Sequence, residues 1–252
     1  MSLHILLTND DGIYAEGIYA LYQELIKIGK VTVVAPESER SSVGHGITLS
    51  HPIWYKKCYR KNKLFGYAIS GTPADCVKFA ANVIIKKKPD FVVSGINLGP
   101  NDGCSVFYSG TVAGAREGAL MGIPSMAVSL NTFVKPRFQF AARCAAKLVK
   151  NIAKASMPKG TFLNVNVPHV RSAQVKGLQV TQQGTVPIHG LFKKRVDPNL
   201  REYYWMTGRM PYSRKDKYID SFALNHHFVT ITPIKCDSTD FEYLNTLQNM
   251  KF

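Results

Sequence analysis

Two adjacent acidic residues, Asp10 and Asp11, follow a short apolar run, Ile5 to Thr8, and precede Gly12. Like charges held within a few ångströms raise each other's pKa, so such a pair is costly unless a cation neutralises it. Two later segments have the same build. Val33-Val34-Ala35 leads into Pro36-Glu37-Ser38-Glu39-Arg40-Ser41-Ser42, and Val92-Val93-Ser94 leads into Gly95-Ile96-Asn97-Leu98-Gly99-Pro100-Asn101. In an open parallel sheet, ligands bind beyond the carboxyl ends of the strands, where loops distant in sequence converge. The oxygen donors on offer there are the carboxylates of Asp10 and Asp11, the Ser41 hydroxyl and the Asn97 amide. These are hard ligands, suited to Mg²⁺, Mn²⁺ or Ca²⁺ rather than to a thiolate-bound metal. Asn-Asp-Asp-Gly is also a good turn sequence; the strand-end placement and the two companion loops favour the metal.

Ser109-Gly110-Thr111 stands directly before a helix expected over 111–121. A helix N-terminus presents free N–H groups and partial positive charge, which suits a phosphate, and the two hydroxyls add donors. Ser109 also reads as an ordinary N-cap. Gly110, Gly114 and Gly118 recur every fourth position, the pattern of a close-packed helix face.

These loops need a scaffold that brings them together. Apolar runs predict strands over 4–8, 30–35, 91–94, 125–128 and 163–167. Helix-period segments at 17–28, 74–85, 111–121 and 138–153 alternate with them. Short strands are expected at 47–49, 53–55 and 66–69. Thr72 serves as N-cap with Pro73 at the first helical position. This alternation predicts an α/β fold with a mainly parallel, doubly wound sheet covered on both faces. Residues 182–221 are polar, aromatic and basic without a clear period, and read as a β-rich excursion serving subunit contact or a lid. A strand over 228–233 and a terminal helix over 240–251 close the chain. The expected organisation is a catalytic core over 1–181, the excursion over 182–221, and a returning strand and helix within 222–252.

The bulk composition bounds the rest. The 252 residues are 45% hydrophobic and 19% charged, enough for one large α/β domain with its own core. The net charge of +15 attracts anions generally, and its lysines come in short runs rather than a polybasic arm. There is no P-loop, zinc-finger spacing or RRM-type motif, so no dedicated nucleic-acid partner is expected. G-x-S-x-G and H-E-x-x-H are also missing. The seven histidines show no ligand spacing; His45, in the second loop, is a candidate pocket residue. The five cysteines are scattered without a C-x-x-C pair, which argues against a disulfide framework or structural zinc and for a reducing, cytoplasmic setting. No secretory leader is expected, nor a run of roughly 18 apolar residues able to span a bilayer. A receiver-type signalling module also carries an acidic pair after its first strand. It needs a third aspartate at a later strand end, where this chain has Asn97.

A larger set of motifs runs the length of the chain: Ile5–Ile13, Val33–Pro36 with Glu39-Arg40-Ser41, Gly71–Val77, Val92–Asn97 with Gly99-Pro100-Asn101, Tyr108–Val112, Leu163–Pro168 and Val229–Pro233. In this order they resemble the SurE family, the survival-protein 5′-nucleotidases. One departure is Gly46, where many members carry serine; it touches no expected ligand. The resemblance implies a Rossmann-like three-layer sandwich and a phosphatase acting on nucleoside monophosphates, with 3′-nucleotides and polyphosphate as further candidate substrates. It implies one divalent ion, Mg²⁺ or Mn²⁺, held by Asp10, Asp11, Ser41 and Asn97, with Asp10 and Asp11 catalytic. Asn9, Asn97, Asn101, Ser109, Gly110 and Thr111 are the expected phosphate or substrate contacts. It also implies a homodimer or homotetramer that exchanges C-terminal segments.

Overall fold

A computed structural model describes residues 3–187, 190–207 and 216–250. Leu3–Thr8 (β1), Gly29–Pro36 (β2), Phe91–Leu98 (β5), Ser125–Asn131 (β6) and Thr161–Pro168 (β7) form the parallel centre of the main sheet. These strands are mostly apolar on both faces, as strands covered on both sides are, with buried polar side chains at Ser94, Ser129, Asn164 and Asn166 among the exceptions. Along β1, Ile5 and Leu7 face one layer and Leu6 the other. The first layer contains Glu16–Leu25 (α1) and Phe138–Ile152 (α4), the second Pro73–Phe79 (α2) and Gly110–Leu120 (α3).

Tyr55–Arg60 (β3) and Lys63–Ile69 (β4) form an antiparallel hairpin, and β4 adds in parallel to β2. At the other end Val229–Lys235 (β11) runs antiparallel to β7, and Leu178–Val180 (β8) joins β11. The strand order is β3-β4-β2-β1-β5-β6-β7-β11-β8. Chain progression therefore reverses direction between β1 and β5, which makes the carboxyl ends of those two strands the topological switch point. Leu191–Val196 (β9) and Glu202–Thr207 (β10) form a separate two-stranded ribbon. Asp220–Asn225 (α5) and Phe241–Gln248 (α6) complete the described elements.

The α/β expectation and the central strands hold, and local departures have physical reasons. The strand expected at 47–49 does not form, and the one expected at 53–55 begins only at Tyr55, as β3. Thr48 instead gives its amide and hydroxyl to the Asp75 carboxylate, at 3.1 and 2.7 Å. Thr72 caps α2 as expected, with a capping box to Asp75 and Pro73 in the first turn. α2 ends at Phe79, short of residue 85, and passes into a wider π-type turn over Ala80–Ile84. β5 runs on to Leu98 and a 3₁₀ turn spans Gly103–Phe107, both inside the segment expected to be loop. The excursion contains the β9–β10 ribbon, and α5 begins before it ends. Its residues 188–189 and 208–215, and residue 251 of the expected terminal helix, lie outside the described residues. No helix among the described residues is long and apolar enough to cross a membrane.

Candidate active site

The acidic pair sits where β1 runs out. Asp10 is 4% exposed and Asp11 is half-buried. The turn that follows is shaped by Asn9, fully buried, whose side-chain amide donates to the Gly12 carbonyl at 2.9 Å. Gly12 occupies φ +97, a conformation that favours glycine. The turn is tied to the end of β2, because Ile13 N–H donates to Pro36 O at 2.9 Å and Arg40 N–H to Asp10 O at 2.8 Å. The second loop is thereby clamped beside the first. Ser41 is exposed in it, and its hydroxyl donates to Glu39 Oε1 at 2.5 Å.

β5 supplies the third wall. Its register with β6 shifts between Gly95 and Asn97, and such a bulge re-aims the side chains around it. Asn97 is half-buried, and its Nδ2 donates to Gly99 O at 2.8 Å. Its side-chain oxygen accepts no hydrogen bond among the described residues. The Leu98 backbone amide, next in sequence, lies close enough to draw the Asp11 carboxyl's pKa down. β1 and β5 thus meet at the acidic pair.

α3 closes the floor. The Thr111 hydroxyl donates to the Asp10 carboxylate, and the backbone amide of the same residue helps to lower that carboxyl's pKa. Gly110 is pressed against the same group: a Cβ there would lie 2.8 Å from Asp10 Cβ and 3.0 Å from its Oδ2. Ser109 caps the helix by accepting Val112 N–H at 3.1 Å. The same close approach recurs along the helix at Gly114 and Gly118, against Ser94 and Val92. The fourfold glycine spacing is therefore a packing face, and its first member also fits the site.

Burial pushes the Asp10 carboxyl above the usual range, partly countered by the donors of Thr111. Asp11 is pushed up to about 7, by burial first and by the neighbouring Asp10 charge second, against the Leu98 amide that draws it down. Glu39 adds to the negative field at both. No lysine or arginine among the described residues forms an ion pair with either aspartate. An unpaired carboxylate couple of this kind fits a cation. No three histidine, cysteine, aspartate or glutamate side chains among the described residues gather closely enough to hold a metal on their own. An ion here would need hydroxyl and amide oxygens as well, the kinds Ser41 and Asn97 offer.

Comparison with known proteins decides the family. The model of the family described as Survival protein SurE matches residues 5–189. The chain belongs to the SurE family. It is 45% identical over 245 residues to a protein named 5′-nucleotidase SurE from Syntrophobacter fumaroxidans, covering 97% of this chain and 98% of that one. A protein of the same name from Thermosipho africanus is 45% identical over 246 residues, covering 98% and 96%. A crystal structure of the SurE protein from Aquifex aeolicus superposes with a TM-score of 0.86 at 37% identity, covering 97% of this chain and 98% of that one.

Within this SurE fold three of the residues expected to contact substrate have partners inside the protein. Thr111 spends its hydroxyl on Asp10, so it orients that carboxylate. Asn9 shapes the turn. Asn101 is 7% exposed and sits in a buried amide knot. Its N–H donates to Asn166 Oδ1 at 2.8 Å, its carbonyl accepts Asn164 Nδ2 at 2.6 Å, and its Nδ2 donates to Ser129 Oγ at 2.8 Å. Asn164 and Asn166 are thus residues that sequence reasoning missed as supports for this loop; the only signal was polar residues inside an apolar strand. Glu117 was missed too. It is 3% exposed on α3 and binds His45 Nε2 at 2.8 Å and Lys78 Nζ at 2.7 Å. Burial alone would raise its pKa, yet the His45 and Lys78 contacts hold it below the usual range. His45 is therefore an anchor between the second loop and α3.

Proposed function

We propose that this chain is a phosphoric monoester hydrolase that splits nucleoside 5′-monophosphates into nucleoside and phosphate. It would use one divalent ion, Mg²⁺ or Mn²⁺, held by Asp10, Asp11, Ser41 and Asn97. The observation that carries this reading is the Asp10–Asp11 couple at the β1/β5 switch point, Asp10 buried, Asp11 half-buried and neither in an ion pair among the described residues, with Asp10 against the N-terminus of α3. The names of the relatives, 5′-nucleotidase SurE, support the nucleotide as substrate. When bound, the cation supplies charge neutralisation at the phosphoryl group and lowers the pKa of a water.

The chain's own residues divide the remaining work. Thr111 fixes the Asp10 carboxylate in one orientation. Asp11, the more accessible of the two, would accept the proton of the attacking water. The Ser109 hydroxyl and the Gly110 N–H, at the positive end of α3, are the phosphate contacts we assign. We favour direct water attack, because Ser109 is buried and already caps the helix; a trapped phosphoserine would overturn that choice. 3′-Nucleotides and polyphosphate offer the same phosphoryl group to the same cleft, and a phosphate-release panel separates them from 5′-nucleotides.

The decisive variants are Asp10→Asn and Asp11→Asn. Each should lower turnover about 10³-fold or more with an unchanged circular-dichroism spectrum. Near-normal turnover in either variant sinks the reading.

We further propose a homodimer or homotetramer that exchanges C-terminal segments. The β9–β10 ribbon exposes Phe192, Trp205 and Met206, and no residue of α6 is buried in the single chain. Large exposed apolar patches mark association surfaces. Light scattering on the purified protein tests this, and a monomer at micromolar concentration would count against it.

A further inference from the structure

A cavity opens on the same edge of the sheet, away from the acidic pair. It holds about 180 Å³ and lies at the ends of β6 and β7, where α4 begins. At about 4.8 Å per strand, two to three strands separate it from β1, so its centre is about 10–15 Å along the edge from the acidic pair.

Its lining is one-sided in charge. Arg137, Arg143, Arg171, His169 and Gln139 are among its lining residues, and no aspartate or glutamate among the described residues lines it. None of the three arginines pairs with an acidic side chain among the described residues. The Nε2 of His169 is closed to solvent and has no hydrogen-bond partner among the described residues. The cavity also receives the first turn of α4. Arg137 is the N-cap of that helix and provides no side-chain cap, while Gln139 in the first turn lines the space. Unclaimed N–H groups and the helix dipole therefore add to the positive potential.

We propose that this cavity is an oxyanion site, separate from the hydrolytic centre, which takes a phosphate dianion either as free orthophosphate or as the terminal group of a small phosphorylated molecule. Guanidinium forks bind such groups with two parallel hydrogen bonds each. The volume is about that of six waters at roughly 30 Å³ each, so it admits a phosphate with a small substituent. The site rests on its own residues and not on the metal or the hydrolytic reading.

The test is calorimetric titration of the whole protein in EDTA, with orthophosphate in one arm and glycerol phosphate in the other. The Asp10→Asn variant serves as a control for the hydrolytic centre. Wild type and Asp10→Asn should bind at least one of the two ligands alike, and the tighter arm identifies the source. The double variant Arg143→Gln/Arg171→Gln, folded by circular dichroism, should bind at least about tenfold more weakly. It should still hydrolyse nucleotide in phosphate-free buffer. No binding in either arm overturns the proposal. So does binding that survives in the arginine variant, or binding that disappears in Asp10→Asn alone. If the double variant fails to fold, Arg171→Lys alone, which keeps the charge and removes the fork, must weaken binding for the proposal to stand.

Discussion

Replacing Gly110 by alanine pits two effects of opposite sign against each other. Helix propensity favours alanine over glycine by up to about 1 kcal/mol in a helix interior, less in a first turn. Contact opposes it. The new methyl would stand 2.8 Å from Asp10 Cβ, 3.0 Å from Asp10 Oδ2 and 3.1 Å from the Arg40 carbonyl oxygen. Ordinary carbon contacts lie at about 3.5–4.0 Å, so Asp10 and the helix end must part by roughly half an ångström or more. Two of the three obstacles belong to a residue held on both sides, by Thr111 on one and by the Arg40 amide on the other. Overpacking of this kind costs about 1–3 kcal/mol and exceeds the propensity gain. For a chain of this size the net corresponds to a melting temperature about 2–8 °C lower. Displacement of the carboxylate should also cost turnover on the order of 10²-fold. Thermal denaturation followed by circular dichroism, with phosphate release from a nucleoside 5′-monophosphate, measures both. An alanine variant that melts at or above wild type and turns over normally would refute the reasoning, because propensity would have won and Asp10 would not be confined.

Asp102 is pushed up to about 6, by burial first and by the Asp220 charge second. A carboxyl whose folded pKa exceeds its unfolded value stabilises the protein below about pH 4, and that contribution is lost as pH rises through 6. Asp102→Asn should therefore gain stability relative to wild type between pH 4 and 7, by up to about 3 kcal/mol; urea melts with a pH-independent difference would contradict this. Glu117→Gln should destabilise by about 1–3 kcal/mol, below the usual figure for a broken buried pair because Lys78 is half exposed. It should also raise the metal concentration needed for half-maximal phosphate release, since His45 anchors the loop that carries Ser41. An unchanged metal requirement would separate the anchor from the site.

The central strands were legible because each is an apolar run long enough to cross a sheet covered on both faces. β3 was not, because its sequence, Tyr-Lys-Lys-Cys-Tyr-Arg, buries only Cys58. Its lysines are those of an edge strand guarded against pairing. Its hairpin turns at Lys61 and Asn62, both at positive φ, and Asn62 was the only cue to that turn. α5 has only six residues and follows a segment without period. In the site, Asp10, Asp11 and Asn97 stood out because hard donors follow apolar runs at the edge where loops converge. The roles of Thr111, Glu117, Asn164 and Asn166 rest on contacts between elements far apart in the chain. Thr111 reads as a cap or a phosphate contact until α3 is known to lie against β1. The sequence holds a residue's chemistry, and the packing selects its partner.

Stoichiometric metal reconstitution bears most directly on the proposed centre. Protein stripped with EDTA is titrated with Mn²⁺ while bound ion is followed by electron paramagnetic resonance and phosphate release is assayed in parallel. The expected result is no turnover at the start, activity rising with one bound ion per chain, and no uptake by an Asp10→Asn/Asp11→Asn double variant. Full turnover in the stripped protein, or equal uptake by the double variant, would contradict it.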